Sequence, residues 1–145
     1  LQNEVAFGEI VRGMHHWGAS LVIVMMFLHT LRVFFTGSYK KPRELNWIVG
    51  VGIFGVMMGL GFTGYLLPWD MKALFATKVG IEIAASVPFI GEYIKILLAG
   101  DSTILGAQTL TRFFAIHVFF LPAALFALLA AHFIMIRRQG ISGPL

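Results

Sequence analysis

Apolar and polar positions are sorted along this chain into long blocks rather than a short alternation. Uncharged, strongly apolar runs occupy residues 13–31, 47–69 and 113–136, each close to or beyond the roughly 20 residues a helix needs to cross a bilayer. At membrane depth every backbone group must bond within its own element, so the pattern predicts three transmembrane helices, the first continuing to about residue 35. Residues 70–112 differ: apolar pieces are broken by Lys72, Lys78, Glu82, Pro88, Glu92, Lys95 and Asp101. The strings ATKVGIEIAAS and GEYIKILLAG flank a Val87-Pro88-Phe89 turn, and their charges recur on one side. They read as an interfacial amphipathic helical hairpin over about 76–100, the alternative being a plain extramembrane loop. The expected fold is an all-α membrane protein, one transmembrane helix-bundle domain over 1–145.

Composition sharpens this reading. Hydrophobic residues make up 58% and charged residues 12% of the chain, against roughly 25% charged in a soluble domain. The net charge of +4 raises the question of nucleic acid. The basic residues, however, sit at the ends of apolar runs rather than among exposed aromatics, which argues for membrane lipid as the partner. Arg32, Lys40, Lys41 and Arg43 follow the first run and Arg137 and Arg138 the third, whereas the segment between the second and third balances its charges. Runs one and three therefore end on the negative side, and the hairpin lies on the positive side. The absence of cysteine excludes thioether-linked haem, iron–sulfur clusters and disulfides within these residues. Leu1 is no initiator methionine, so further sequence is expected ahead of it.

The chemistry lies in the histidines, at 15, 16, 29, 117 and 132, all at or within the two runs that point the same way. An ionisable group at membrane depth marks function by default. His15 and His29 are 14 apart, His117 and His132 are 15 apart, and each separation spans about 21–22 Å of helix with little change of face. Two helices so marked can form two cross-helix pairs at two depths, His15 with His117 and His29 with His132. Opposed imidazoles are the geometry of a bis-histidine haem iron. A lone histidine would read as an interhelical hydrogen-bonding group. His16, about 100° round from His15, is left to the interface.

A flat macrocycle between helices needs room, and Gly50 and Gly64 repeat the 14-residue rise in the second run. They are the expected contacts for the ring edges, ordinary helix packing being the alternative. Arg12, Arg32, Arg112 and Arg137 lie three before His15, three after His29, five before His117 and five after His132. Arginine forks suit carboxylates such as haem propionates, although Arg32 and Arg137 also serve as flanking positive charges. Trp17, Trp47 and Trp69 read as interfacial aromatics, and Pro122 predicts a kink.

The strings RGMHHW, FLHTLRVFFTGSYKKPRELNW, TGYLLPWD, TLTRFFAIHVFFLP and HFIMIRRQGISGPL together resemble cytochrome b6 and the N-terminal half of the wider cytochrome b family. The resemblance assigns axial ligation of two b-type haems to His15 and His117 on the positive side and His29 and His132 on the negative side. The wider separation in the later helix is similar to the b6 branch and the split or menaquinol-using bacterial complexes, mitochondrial types having the shorter spacing in both helices. The family has a helix ahead of the first histidine pair, so a fourth, N-terminal helix is expected before Leu1. The cysteine through which b6 holds a further haem belongs to that preceding region.

The family further implies the di-haem b subunit of a quinol:cytochrome c or plastocyanin oxidoreductase. Such a subunit carries electrons between a quinol-oxidising and a quinone-reducing site of an energy-transducing membrane, bacterial plasma membrane or thylakoid, with coupled proton translocation. The implied partners are a Rieske iron–sulfur protein, a c-type cytochrome, a subunit IV-like chain carrying the Pro-Glu-Trp-Tyr motif, and a second copy of the complex. The hairpin would border the quinol pocket, with Val79 and Ile83, one turn apart, facing the quinone. A di-haem anchor of another respiratory oxidoreductase and a histidine-lined metal transporter are the competing readings.

Overall fold

A computed structural model describes residues 5–100 and 105–142; Asp101, and the Gly-Pro-Leu end of the ISGPL string, lie outside them. Among the described residues every regular element is a helix: α1 (Gly8–Phe35), α2 (Glu44–Leu66), α3 (Met71–Ala85), α4 (Gly91–Ala99), α5 (Ala107–Ala115) and α6 (Leu121–Gln139). Between α5 and α6 the chain makes a π-turn, Ile116–Phe120, so that Ala107–Gln139 is one long helix. Among the described residues three helices are long and apolar enough to cross a membrane: Gly8–Phe35, Glu44–Leu66 and Ala107–Gln139.

Element ends depart from the apolar runs for local reasons. The second helix starts at Glu44, ahead of the run, with an acid in its first turn where the positive end of the helix dipole favours it. It stops at Leu66 because Pro68 cannot continue it, and Trp69 turns out at φ 56°. α3 begins at Met71 rather than near 76 because Asp70 caps it, its Oδ1 accepting the Ala73 N–H at 2.8 Å. The third span starts at Ala107, ahead of the uncharged run at 113, so that Arg112 lies inside the helix.

The chain divides into two compact units, one taking the described residues up to Met57 and from Leu128 on, the other Met58–Ala127. The second has a core: Leu66, Ala73, Ile81, Ala99 and Phe113 are buried together, and Thr77 and Thr109 of the same unit are buried as well. Thr109 Oγ1 donates to the Ala99 carbonyl at 2.9 Å, satisfying a group that the end of α4 would leave open. Lys95 pairs with Glu82 at 3.2 Å and ties α4 to α3. Gly91 is required where the chain turns into α4, since a Cβ there would overlap the Ala85 carbonyl. In the first unit α1 has no buried residue and Ile53 is the buried apolar side chain of α2. Its apolar surface is what lipid and bound groups cover in a membrane protein, where helix association is not driven by water.

Candidate histidine–glycine sites

Four glycines of α2 face the 107–139 helix at side-chain distance, two within each unit. In the first unit a Cβ on Gly50 would lie 3.5 Å from His132 Cε1, and one on Gly52 3.6 Å from Leu128 Cδ1. In the second, a Cβ on Gly59 would lie 3.5 Å from Leu121 Cδ1, and one on Gly64 only 2.7 Å from His117 Cε1. Within each unit the number falls on one helix as it rises on the other, the pattern of antiparallel neighbours. Each glycine that the sequence singled out thus receives the imidazole of a histidine that the sequence singled out. A side chain at Gly64 would occupy the space of the ring itself.

His117 is further held by a residue not foreseen from the sequence. Thr63, 4% exposed, donates its hydroxyl proton to the Gly59 carbonyl at 2.8 Å, as mid-helix threonines do. Its oxygen lies 3.0 Å from His117 Nδ1. If the hydroxyl proton stays donated to the Gly59 carbonyl, Thr63 would accept from Nδ1–H and the imidazole lone pair would lie on Nε2. A ligating histidine needs that tautomer and a hydrogen bond that orients its ring. His132 faces the Asn46 backbone, but its buried Nδ1 has no partner at hydrogen-bond geometry. His29 and His132 belong to the same unit. His15 lies in the first unit and His117 in the second. His15 and His29 are exposed on α1, and His16 sets its ring edge against Trp17 at 5.7 Å.

The arginines fall into two kinds. Arg32 and Arg137 occupy the last turns of α1 and α6, where a cation complements the carbonyl end of a helix. Arg12 is exposed in the second turn of α1. Arg112, expected to face a carboxylate, directs Nη1 to the carbonyls of Ile96 and Leu97, the latter at 2.8 Å, and so caps the end of α4. Val79 and Ile83 are exposed on α3, 59% and 66%, opposite the buried Ala73, Thr77 and Ile81; Met71 and Phe75 extend the same exposed row. Gly80, on the same helix, leaves room for the Phe62 ring, whose centroid lies 5.7 Å from that of Phe113.

Such imidazoles, both over walls without a Cβ, could serve as axial ligands of a macrocyclic iron. Residues 20–145 match the family model for cytochrome b(N-terminal)/b6/petB. The chain belongs to the cytochrome b family. A menaquinol:cytochrome c reductase cytochrome b subunit of Geobacillus thermodenitrificans is 85% identical over the whole chain, and its namesake in Bacillus subtilis (strain 168) is 84% identical. Cytochrome b6 of Heliobacterium modesticaldum is 48% identical, again over the whole chain and 68% of that protein. The chain spans 65% of the length of the first two relatives. With three helices of spanning length among its described residues, this cytochrome b family member is an integral, multi-pass membrane protein.

Proposed function

We propose that the chain is the di-haem-binding part of the b subunit of a quinol:cytochrome c oxidoreductase, moving electrons across the membrane between a quinol-oxidising and a quinone-reducing site with coupled proton translocation. The observation that carries this is the pair of α2 glycines, 14 apart, each facing the imidazole of a histidine on the 107–139 helix. His15 with His117 would hold the positive-side haem and His29 with His132 the negative-side one. Arg12, Arg32 and Arg137 would fork to propionates, and Arg112 would do so with the nitrogens other than Nη1. A b-type haem bound in this way supplies a one-electron carrier whose potential follows from its ligands and surroundings. Gly50 and Gly64 keep the helix wall thin, Thr63 sets the His117 tautomer, and the apolar spans exclude water. Val79 and Ile83 would line the quinol pocket.

The high identity to menaquinol:cytochrome c reductases makes menaquinol the proposed substrate. The partners would be a Rieske iron–sulfur protein, a c-type cytochrome and a subunit IV-like chain carrying Pro-Glu-Trp-Tyr, in a homodimeric complex. The competing metal-transporter reading calls for no Soret or alpha band in the purified complex.

The pairing is open to direct test by reduced-minus-oxidised spectra of the complex in membranes. His15→Ala and His117→Ala should each remove one and the same b component, and His29→Ala and His132→Ala the other. Loss of a common component in His15→Ala and His132→Ala would show the register to be wrong. His16→Ala should keep both. Val79→Phe should lower menaquinol oxidation several-fold with normal dithionite-reduced spectra, since an added ring overfills a pocket without touching a ligand. An unchanged rate and inhibitor sensitivity would remove Val79 from that pocket.

A further inference from the structure

His117 and His132 are 15 apart in the sequence, yet they face glycines only 14 apart on α2. α2 is α-helical throughout Glu44–Leu66, so its two glycines carry the plain helical rotation for their separation. On an equally regular partner, the one additional residue would swing one imidazole about 100° away from its glycine. The partner is not regular. Ile116–Phe120 forms a π-turn, closed by the Leu121 N–H donating to the Ile116 carbonyl five residues back. A single π-turn takes one extra residue into a helix while the ladder continues on both sides. Here it begins at the residue before His117 and ends before Pro122, whose missing N–H and ring would in a regular helix leave the Val118 carbonyl unbonded and crowded.

We infer that this π-turn is the device that keeps His117 and His132 in register: it absorbs the surplus residue, so that the two imidazoles are presented as a regular helix one residue shorter would present them. The inference depends on reading the two histidines as axial ligands. It makes Val118 and Phe119, both exposed, positioning residues through their number rather than their side chains.

The inference predicts that shortening and lengthening the segment are unequal. In the full-length chain within its assembled membrane complex, deletion of Val118 converts the π-turn to α-helix and gives the ligands the same separation as Gly50 and Gly64. Both b components should survive in reduced-minus-oxidised spectra, with their low-spin bis-imidazole electron paramagnetic resonance signals. Insertion of one alanine after Val118 adds a second surplus residue with no second slack turn to absorb it, and at least one component should be lost. If the π-turn were incidental, each change would rotate one ligand by a similar angle and the two would be equally damaging. Loss of a component, or of the chain from the membrane, in the deletion variant overturns the inference, as does full retention of both components in the insertion variant. His117→Ala and His132→Ala, measured alongside, separate the two levels: if neither removes a component, the ligand assignment itself has failed, whatever the deletion does.

Discussion

The site of His117 and the site of His132 use the same parts and differ in how firmly protein holds them. At His117 the wall is so close that a Cβ on Gly64 would fall 2.7 Å from the ring, and the Thr63 hydroxyl engages Nδ1 at 3.0 Å. At His132 the corresponding distance is 3.5 Å, and the buried Nδ1 has no hydrogen bond of good geometry. The second unit, which holds His117, also contains the buried cluster around Leu66 and Phe113, whereas in the first unit α1 buries nothing. A ring on a packed support is oriented by protein; a ring in an open helix framework is oriented largely by what binds beside it. The first should therefore be brittle toward changes in its wall and the second forgiving.

Gly64→Ala is the sharpest way to break that contrast. In an exposed helix interior this change is worth about 0.8–1.0 kcal/mol in favour of the helix. Here the added methyl would overlap an imidazole whose Nδ1 contacts Thr63 of the same helix, and real carbon atoms do not approach to 2.7 Å. The His117 component should be lost or reduced to a minor fraction in reduced-minus-oxidised spectra, with the His132 component intact. Full retention of both would show that His117 has slack that the geometry denies it.

How much of this was legible in the sequence follows from the range of each interaction. The spans and the Gly50–Gly64 rise, which meets His132 and His117, were readable because helical rotation converts spacing into direction, and each lies within one helix. Thr63 was not, because its partner is 54 residues away and a threonine before a glycine reads as one more small residue of a span. Nor were the carbonyl contacts of Arg112 readable, because α4 ends beside it only in the folded chain and offers the Ile96 and Leu97 carbonyls to Nη1. The start of α3 was obscured because the hairpin was sought in its charged, amphipathic portion, while Asp70 caps the helix one turn earlier. Pro122 signalled an irregularity, but proline chemistry alone does not say whether a helix bends or takes in a residue.

Thr63→Val tests the hydrogen bond without disturbing shape. It leaves the His117 Nδ1–H without its acceptor, a loss of roughly 1–3 kcal/mol for a buried donor, and makes the ligand less basic. A less basic imidazole stabilises ferric iron less, so the midpoint potential of the His117 component should rise. Each tenfold change in the relative affinity for the two oxidation states is about 59 mV for one electron, and a shift on the order of tens of millivolts is expected with the spectrum otherwise retained. Redox titration of Thr63→Val and parent would decide it. An unchanged potential would mean that the tautomer is set elsewhere, and a shift confined to the His132 component would reverse the assignment of the two sites.

Gly50→Ala carries the smallest expected effect and gives the comparison its other limb. Its Cβ would stand 3.5 Å from His132 Cε1 and 4.0 Å from Nδ1, ordinary van der Waals contact rather than overlap. The helix itself gains from replacing glycine, by about 0.8–1.0 kcal/mol, and the added methyl fills part of the space beside a ring that protein holds loosely. The His132 component should therefore persist at parental amplitude, with the thermal stability of the complex unchanged or slightly raised. Spectra and melting curves of Gly50→Ala and Gly64→Ala, recorded side by side, make the test internal. If Gly50→Ala removes its component as completely as Gly64→Ala removes the other, the two walls are equally close once the site is loaded. The difference between 2.7 and 3.5 Å would then describe two resting positions of an imidazole rather than two grades of support.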